Sequence, residues 1–88
     1  MIRRKVLISN ELGLHARPAA KVAKLAQKYR AKVFLKKGLR QAEAESILDV
    51  LALACSQGTE VEILAEGEEA EEAVAAIADL LSRDLENL

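Results

Sequence analysis

The chain has 88 residues, 51% apolar and 31% charged, with thirteen Lys/Arg against fourteen Asp/Glu and a net charge of −1. That length and balance describe one water-soluble globular domain, spanning residues 1–88, with a core of modest size. One Tyr, one Phe and no Trp leave no aromatic platform for stacking bases, one Cys leaves no internal disulfide, and no apolar run reaches the length of a membrane span.

Met1-Ile2-Arg3-Arg4-Lys5 leads into a strand rather than a signal sequence, so the expectation is a cytoplasmic protein without membrane insertion. Val6-Leu7-Ile8, entered through Lys5, reads as a strand that closes at the turn residues Ser9-Asn10. Residues 16–29 switch to a helical repeat. Ala19, Val22, Leu25, Ala26 and Tyr29 gather on one side, while Arg17, Lys21, Lys24 and Lys28 superpose on the other. Pro18 falls in the first turn, where its missing N–H costs nothing.

Val33-Phe34-Leu35 predicts a second strand and Lys37-Gly38 the turn of a hairpin, returning as a weak strand over 40–44. Ser46-Ile47-Leu48-Asp49 has the form of a helix start, with Ser at the N-cap and an acid three residues later. The helix behind it is predicted to end near Ser56-Gln57-Gly58, with Gly58 as the stop. Cys55 belongs to its apolar run and is expected to be a buried, inert thiol.

Thr59 to Ala65 alternates as a strand, with Val61, Ile63 and Ala65 on one face. Gly67 breaks it, and Glu68, Glu69, Glu71 and Glu72 crowd the start of a last helix, where acids favour the dipole. Ala70, Ala73, Val74, Ile77, Leu80 and Leu81 form that helix's buried stripe. The order β-α-β-β-α-β-α predicts an α+β open-faced sandwich: a four-stranded, mainly antiparallel sheet with three helices on one face.

Near-neutrality hides a steep division. Residues 1–40 hold twelve Lys/Arg and one acid, a local charge of +11, whereas residues 41–88 hold thirteen acids and one Arg, a local charge of −12. Such a split can offer a basic docking face to an acidic partner.

The only histidine lies in Gly13-Leu14-His15-Ala16-Arg17-Pro18, immediately before the first helix. Three readings of a lone histidine can be compared. A metal site needs further ligands, and Cys55 is distant in sequence and expected buried. A triad needs a nucleophile and an orienting acid, and no nucleophile-elbow motif accompanies Ser9 or Ser46. The third is a histidine that itself becomes phosphorylated. An imidazole keeps a nitrogen lone pair at neutral pH, and the phosphohistidine it forms retains a high transfer potential. The guanidinium of Arg17 is shaped for phosphate oxygens, and the free N–H groups of the helix start, at Ala16 and Arg17, would add to it. The structural alternative is a cap or an ordinary surface residue.

With that motif in place, the chain resembles the HPr family, the histidine phosphocarriers of the bacterial phosphoenolpyruvate-dependent phosphotransferase system. The resemblance spans nearly the whole sequence. It runs from the strand before Gly13 through Pro18, Ala19-Ala20, Ser46-Ile47-Leu48 and Gly58-Thr59 ahead of Val61-Glu62-Ile63, and on through Ala65-Glu66-Gly67-Glu68 and the final helix.

The resemblance implies that His15 accepts a phosphoryl group on Nδ1 from phosphorylated enzyme I and passes it to an enzyme IIA-type acceptor, with Arg17 steadying the group in transit. It implies a carrier modified and demodified by others, with no cofactor, no metal and no turnover of its own. It also implies an apolar docking patch on the short second helix. Ile47, Leu48 and Leu51 are the candidates for its exposed set, against burial in the core. Lys21, Lys24 and Lys28 would flank the patch and meet acidic partners; otherwise they form a solvated helix face.

Ser46 matches the position that a regulatory HPr kinase/phosphorylase modifies in many members. Here Glu45 stands where such members usually carry a basic residue and Asp49 where glycine is common, so plain N-capping is favoured for Ser46. The stretch Ala42-Glu43-Ala44-Glu45-Ser46 is similar to the family's nitrogen-branch paralogue, whose output is regulatory rather than sugar uptake. Two readings from other classes are set aside. A nucleic-acid-binding domain does not suit the acidic second half or the scarcity of aromatics, and an interaction module with a dead site does not suit the presence of both His15 and Arg17. No sign of dimerisation is present, and a monomer is expected.

Overall fold

The computed structural model describes residues 1–83, and the elements follow the apolar patterning closely. They are β1 (Ile2–Leu7), α1 (Ala16–Lys28), β2 (Lys32–Lys37), β3 (Arg40–Glu43), α2 (Ile47–Ala52), β4 (Glu60–Glu66) and α3 (Ala70–Ser82). The strands form one sheet in the order β1-β4-β2-β3, with every neighbouring pair antiparallel. Strand β4 is thus inserted between β1 and β2, pairing Ile2 with Ala65 on one side and Val33 with Ala65 on the other.

The α+β open-faced arrangement follows from which residues are buried. Val61, Ile63 and Ala65 of β4, Val33 and Leu35 of β2 and Ala42 of β3 join the helices' apolar stripes in one core. From α1 come Ala19, Val22 and Ala26, and from α3 Ala70, Ala73, Val74, Ile77, Ala78, Leu80 and Leu81. Strand alternation leaves the other sheet face to charged residues, among them Lys5, Glu62 and Lys36 in one cross-strand row. Lys5–Glu60 and Lys32–Glu43 pair there at 3.9 Å each. Leu64 points to that open face, yet only 5% of it is exposed, because Arg3 and Phe34 flank it in register.

Several boundaries differ from the sequence expectation, three of them for reasons the structure shows. Strand β1 begins at Ile2, four residues before Val6, because the exposed side chains of Arg3, Arg4 and Lys5 suit an edge strand. The hairpin turn is Gly38-Leu39 rather than Lys37-Gly38, with Lys37 opposite Arg40 and Gly38 at φ +59°. Helix α2 ends at Ala52, not near Ser56. Leu53 closes it, Ala54 turns left-handed at φ +54°, and Cys55 enters the core. Gly58, expected as the helix stop, instead serves the next turn and donates its N–H to the Ile8 carbonyl at 2.8 Å. Among the described residues, no helix is long and apolar enough to cross a membrane.

Candidate functional site

The segment between β1 and α1 is held by backbone geometry rather than by bulk. Asn10 is 1% exposed, and its Oδ1 accepts the Leu12 N–H at 2.9 Å while its carbonyl accepts the Gly13 N–H at 2.9 Å. This is the local turn that an Asn side chain stabilises. Gly13 follows at φ +72°, pressed onto the backbone of Cys55 and Ser56 so closely that a Cβ would lie 2.9 Å from the Ser56 Cα. The Leu14 N–H then donates to the Cys55 carbonyl at 2.8 Å, and the Leu14 side chain is buried in the core. One residue later the chain presents His15.

His15 is the N-cap residue of α1, with extended backbone at φ −88°, ψ −171°. Its carbonyl accepts the first helical bond, from the Ala19 N–H at 3.0 Å. Its half-buried side chain caps nothing. The N–H groups of Ala16 and Arg17 therefore have neither an intrahelical acceptor nor a side-chain cap, Pro18 has no N–H to satisfy, and the first turn holds no acid. Ala16 and Arg17 are both exposed. An imidazole, a guanidinium and two unpaired amides thus stand together at the positive end of a thirteen-residue helix.

Helix α2 packs beside α1. The Ser46 side chain is its N-cap and accepts the Asp49 N–H at 3.3 Å. Val50 is buried, Leu51 half-buried against the core, and Ile47 and Leu48 are exposed, Leu48 by 79%. Lys24 and Lys28 are exposed and Lys21 half-buried. Lys21 and Lys24 line a cleft between α1 and α3, with Leu25, Ala76, Leu80 and the ion pair Asp79–Arg83 at 2.7 Å. The Lys28 ammonium lies 5.5 Å from the centre of the Tyr29 ring.

Two supports of the site had no signal as such in the sequence. The Cys55 carbonyl reaches the site only because α2 stops early. Lys37, at the end of β2, donates from Nζ to the carbonyls of Leu53 at 3.0 Å and Ala54 at 2.8 Å. Cys55 itself is a free buried thiol; burial pushes it up from its ordinary range, an effect the charge of Lys37 partly offsets. Among the described residues, no cluster of His, Cys, Asp or Glu could hold a metal ion.

Comparison with known proteins assigns the chain to a family. The sequence pattern described as "PTS HPr component phosphorylation site" matches residues 2–83, almost end to end. The chain belongs to the HPr family.

Among its relatives, the HPr-like protein Crh of Bacillus subtilis is 36% identical over 85 residues, covering 97% of this chain and all of that protein. The phosphocarrier protein NPr of Escherichia coli K12 is 39% identical over 82 residues, covering 92% and 91%. The crystal structure of the phosphocarrier protein HPr from Bacillus anthracis superposes with a TM-score of 0.86 at 35% identity, covering 91% of this chain and 95% of that one. The four-stranded antiparallel sheet with three helices is therefore the HPr fold, and this HPr-family protein is similar at comparable identity to members named HPr, NPr and Crh.

Proposed function

We propose that this protein is a cytoplasmic, monomeric phosphocarrier that takes a phosphoryl group onto His15 from phosphorylated enzyme I and hands it to an enzyme IIA-type acceptor. One observation carries the reading: His15 stands at the mouth of α1 with its side chain uncommitted, beside Arg17 and two amides without acceptors. In the transfer, the phosphorus–nitrogen bond to the donor breaks as the bond to Nδ1 of His15 forms. Arg17 and the amides of Ala16 and Arg17 gather the phosphoryl oxygens, and the helix dipole favours their charge. The return step is the same reaction toward the acceptor. The chain supplies a nucleophile and an anion cradle, and the partners supply the rest of the geometry.

Docking is assigned to Ile47, Leu48 and Leu51 on α2, extended by Lys21, Lys24 and Lys28 toward acidic partner surfaces. An exposed leucine on α2 and exposed lysines on α1 suit a small, reversible interface. Ser46 is assigned to capping α2 rather than to regulatory phosphorylation, since Glu45 and Asp49 on either side would repel an added phosphate.

The test is intact mass after incubation with enzyme I, magnesium and phosphoenolpyruvate. The expected gain is about one phosphate, labile in acid and stable in base, and absent in His15→Ala. Label retained in His15→Ala would overturn the assignment. Presenting the labelled protein to IIA-type acceptors of the sugar and nitrogen branches then separates those two outputs by which one drains it.

A further inference from the structure

The basic side chains of the N-terminal half are not equivalent, and Lys37 differs from the rest. Among the described residues, it is the one whose ammonium donates to backbone carbonyls, those of Leu53 and Ala54. Strand alternation explains the reach. Lys37 shares the helix-covered face with Val33 and Leu35, whereas its neighbour Lys36 shares the open face with Phe34. At the end of β2 the stem of Lys37 runs toward the C-terminus of α2, where unpaired carbonyls favour a cation.

Those carbonyls flank a turn whose backbone conformation is unfavourable for its residue. Ala54 is the described non-glycine residue with positive φ, in the position after a helix where glycine is usual. The turn it makes aims the Cys55 carbonyl at the Leu14 N–H and sets the backbone of Cys55 and Ser56 against Gly13. The chain of contacts is short: Lys37 to Leu53 and Ala54, Cys55 to Leu14, and Leu14 to His15.

We propose that Lys37 is a positioning residue for phosphoryl acceptance, acting through the left-handed turn at Ala54 to fix the backbone from which His15 projects. The proposal rests on the phosphocarrier reading and adds to it a residue outside the Gly13–Pro18 motif, on a different strand. Lys37 acts through the backbone it holds rather than on the phosphoryl group itself. Its ammonium holds two carbonyls in place, and the rigidity reaches His15 through one hydrogen bond.

Three variants test it: Lys37→Met removes both hydrogen bonds at similar length, Lys37→Arg keeps a donating cation, and Lys36→Met removes one charge from the same hairpin on the opposite face. Two quantities are read, the rate of single-turnover labelling as phosphorylated enzyme I is varied, and hydrogen exchange at the Leu14 amide. Lys37→Met is expected to lower the maximal rate about tenfold with the half-saturating donor concentration unchanged, and to speed Leu14 exchange by a similar factor, with the Ile63 amide unaffected. Lys37→Arg recovers both quantities, and Lys36→Met changes neither.

A Lys37→Met protein with native Leu14 exchange overturns the proposal. So does a rate loss that Lys36→Met reproduces, or one that lies wholly in the half-saturating concentration, since each points to partner attraction instead. Should Lys37→Met not fold, Lys37→Gln, which removes the charge and shortens the reach to the two carbonyls, is read by the same two quantities. Should the wild-type protein take no label at all, the phosphocarrier reading falls, and the Leu14 exchange comparison still decides whether Lys37 holds the turn.

Discussion

Helices α1 and α3 are both thirteen residues long, both lie on the same sheet face, and each is approached through a glycine pressed onto a neighbouring backbone. Gly13 rests on Cys55 and Ser56, and Gly67, at φ +130°, rests on Arg30 and Ala31. Beyond the glycine the two ends diverge. The α3 end is closed by the chain itself: the Glu69 N–H donates to the Arg30 carbonyl at 3.0 Å, its Oε1 accepts the Arg30 N–H at 2.8 Å, and Glu71 and Glu72 occupy the first turn. Neither cap side chain bonds its own helix, but the α1 end has no acid in its first turn and a histidine at the cap position. The same local device therefore serves two purposes. Where the positive helix end is compensated from within, the result is a structural joint, and where it is left uncompensated an incoming anion can complete it.

The largest effects should come from the two glycines. A Cβ at either position meets backbone that cannot swing aside, and the left-handed conformation adds strain, so Gly13→Ala and Gly67→Ala should each cost about 3 kcal/mol of stability. Chemical denaturation measures that cost, and the comparison predicts different consequences for labelling at equal folded fraction. Gly13→Ala should slow phosphoryl acceptance, whereas Gly67→Ala should leave it unchanged, and equal slowing in both would dissolve the distinction.

An intermediate effect follows from moving acid between the two ends. Ala16→Asp places a carboxylate in the first turn of α1, so it should raise the melting temperature by about 3 °C while lowering the labelling rate about tenfold. Glu71→Gln with Glu72→Gln should do the reverse at α3, lowering the melting temperature by a similar amount at an unchanged labelling rate. A carboxylate at residue 16 that leaves the rate untouched would mean that the helix end takes no part in holding the phosphoryl group.

The smallest effect concerns what the glycines rest on. Gly67 leans on the exposed Arg30, but Gly13 leans on Cys55, a thiol that burial keeps protonated beyond its ordinary range. With the folded value raised, the folded protein holds a proton that the unfolded chain releases. Stability is then full below the thiol's ordinary 9.0 and declines as pH rises through that value and beyond. Unfolding curves between about pH 8 and pH 10 should show a decline that is shallower in Cys55→Ala, and identical slopes would remove the thiol from the account.

Much of this was legible in the sequence, for physical reasons that can be named. The apolar stripe Ala70, Ala73, Val74, Ile77, Leu80 and Leu81 is buried in full because a 3.6-residue repeat admits one inward face. Val61, Ile63 and Ala65 share their face because strands alternate. Ser46 caps α2 as its spacing to Asp49 suggested. His15 at the cap of α1 with Arg17 in the first turn could be read from six consecutive residues.

What escaped was set by partners distant in sequence. Leu64 is buried on a nominally polar face because Arg3 and Phe34 arrive on either side of it. Helix α2 stops at Ala52 with Lys37, sixteen residues before Leu53, holding the two carbonyls just beyond it. Neither Lys37 nor the Cys55 carbonyl carries a local pattern that distinguishes it from any other lysine or peptide group.

The insertion of β4 between β1 and β2 also imposes an order in time. Ile2 pairs with Ala65, and the Leu14 N–H waits for the Cys55 carbonyl, so neither can find its partner until most of the chain has left the ribosome. At about 5–20 residues per second that delay is several seconds, long compared with the microseconds in which a short hairpin such as β2–β3 forms. The segment that presents His15 thus acquires its shape only after Cys55 has emerged, and a nascent chain truncated before that point, though it contains the histidine, would lack the backbone that aims it.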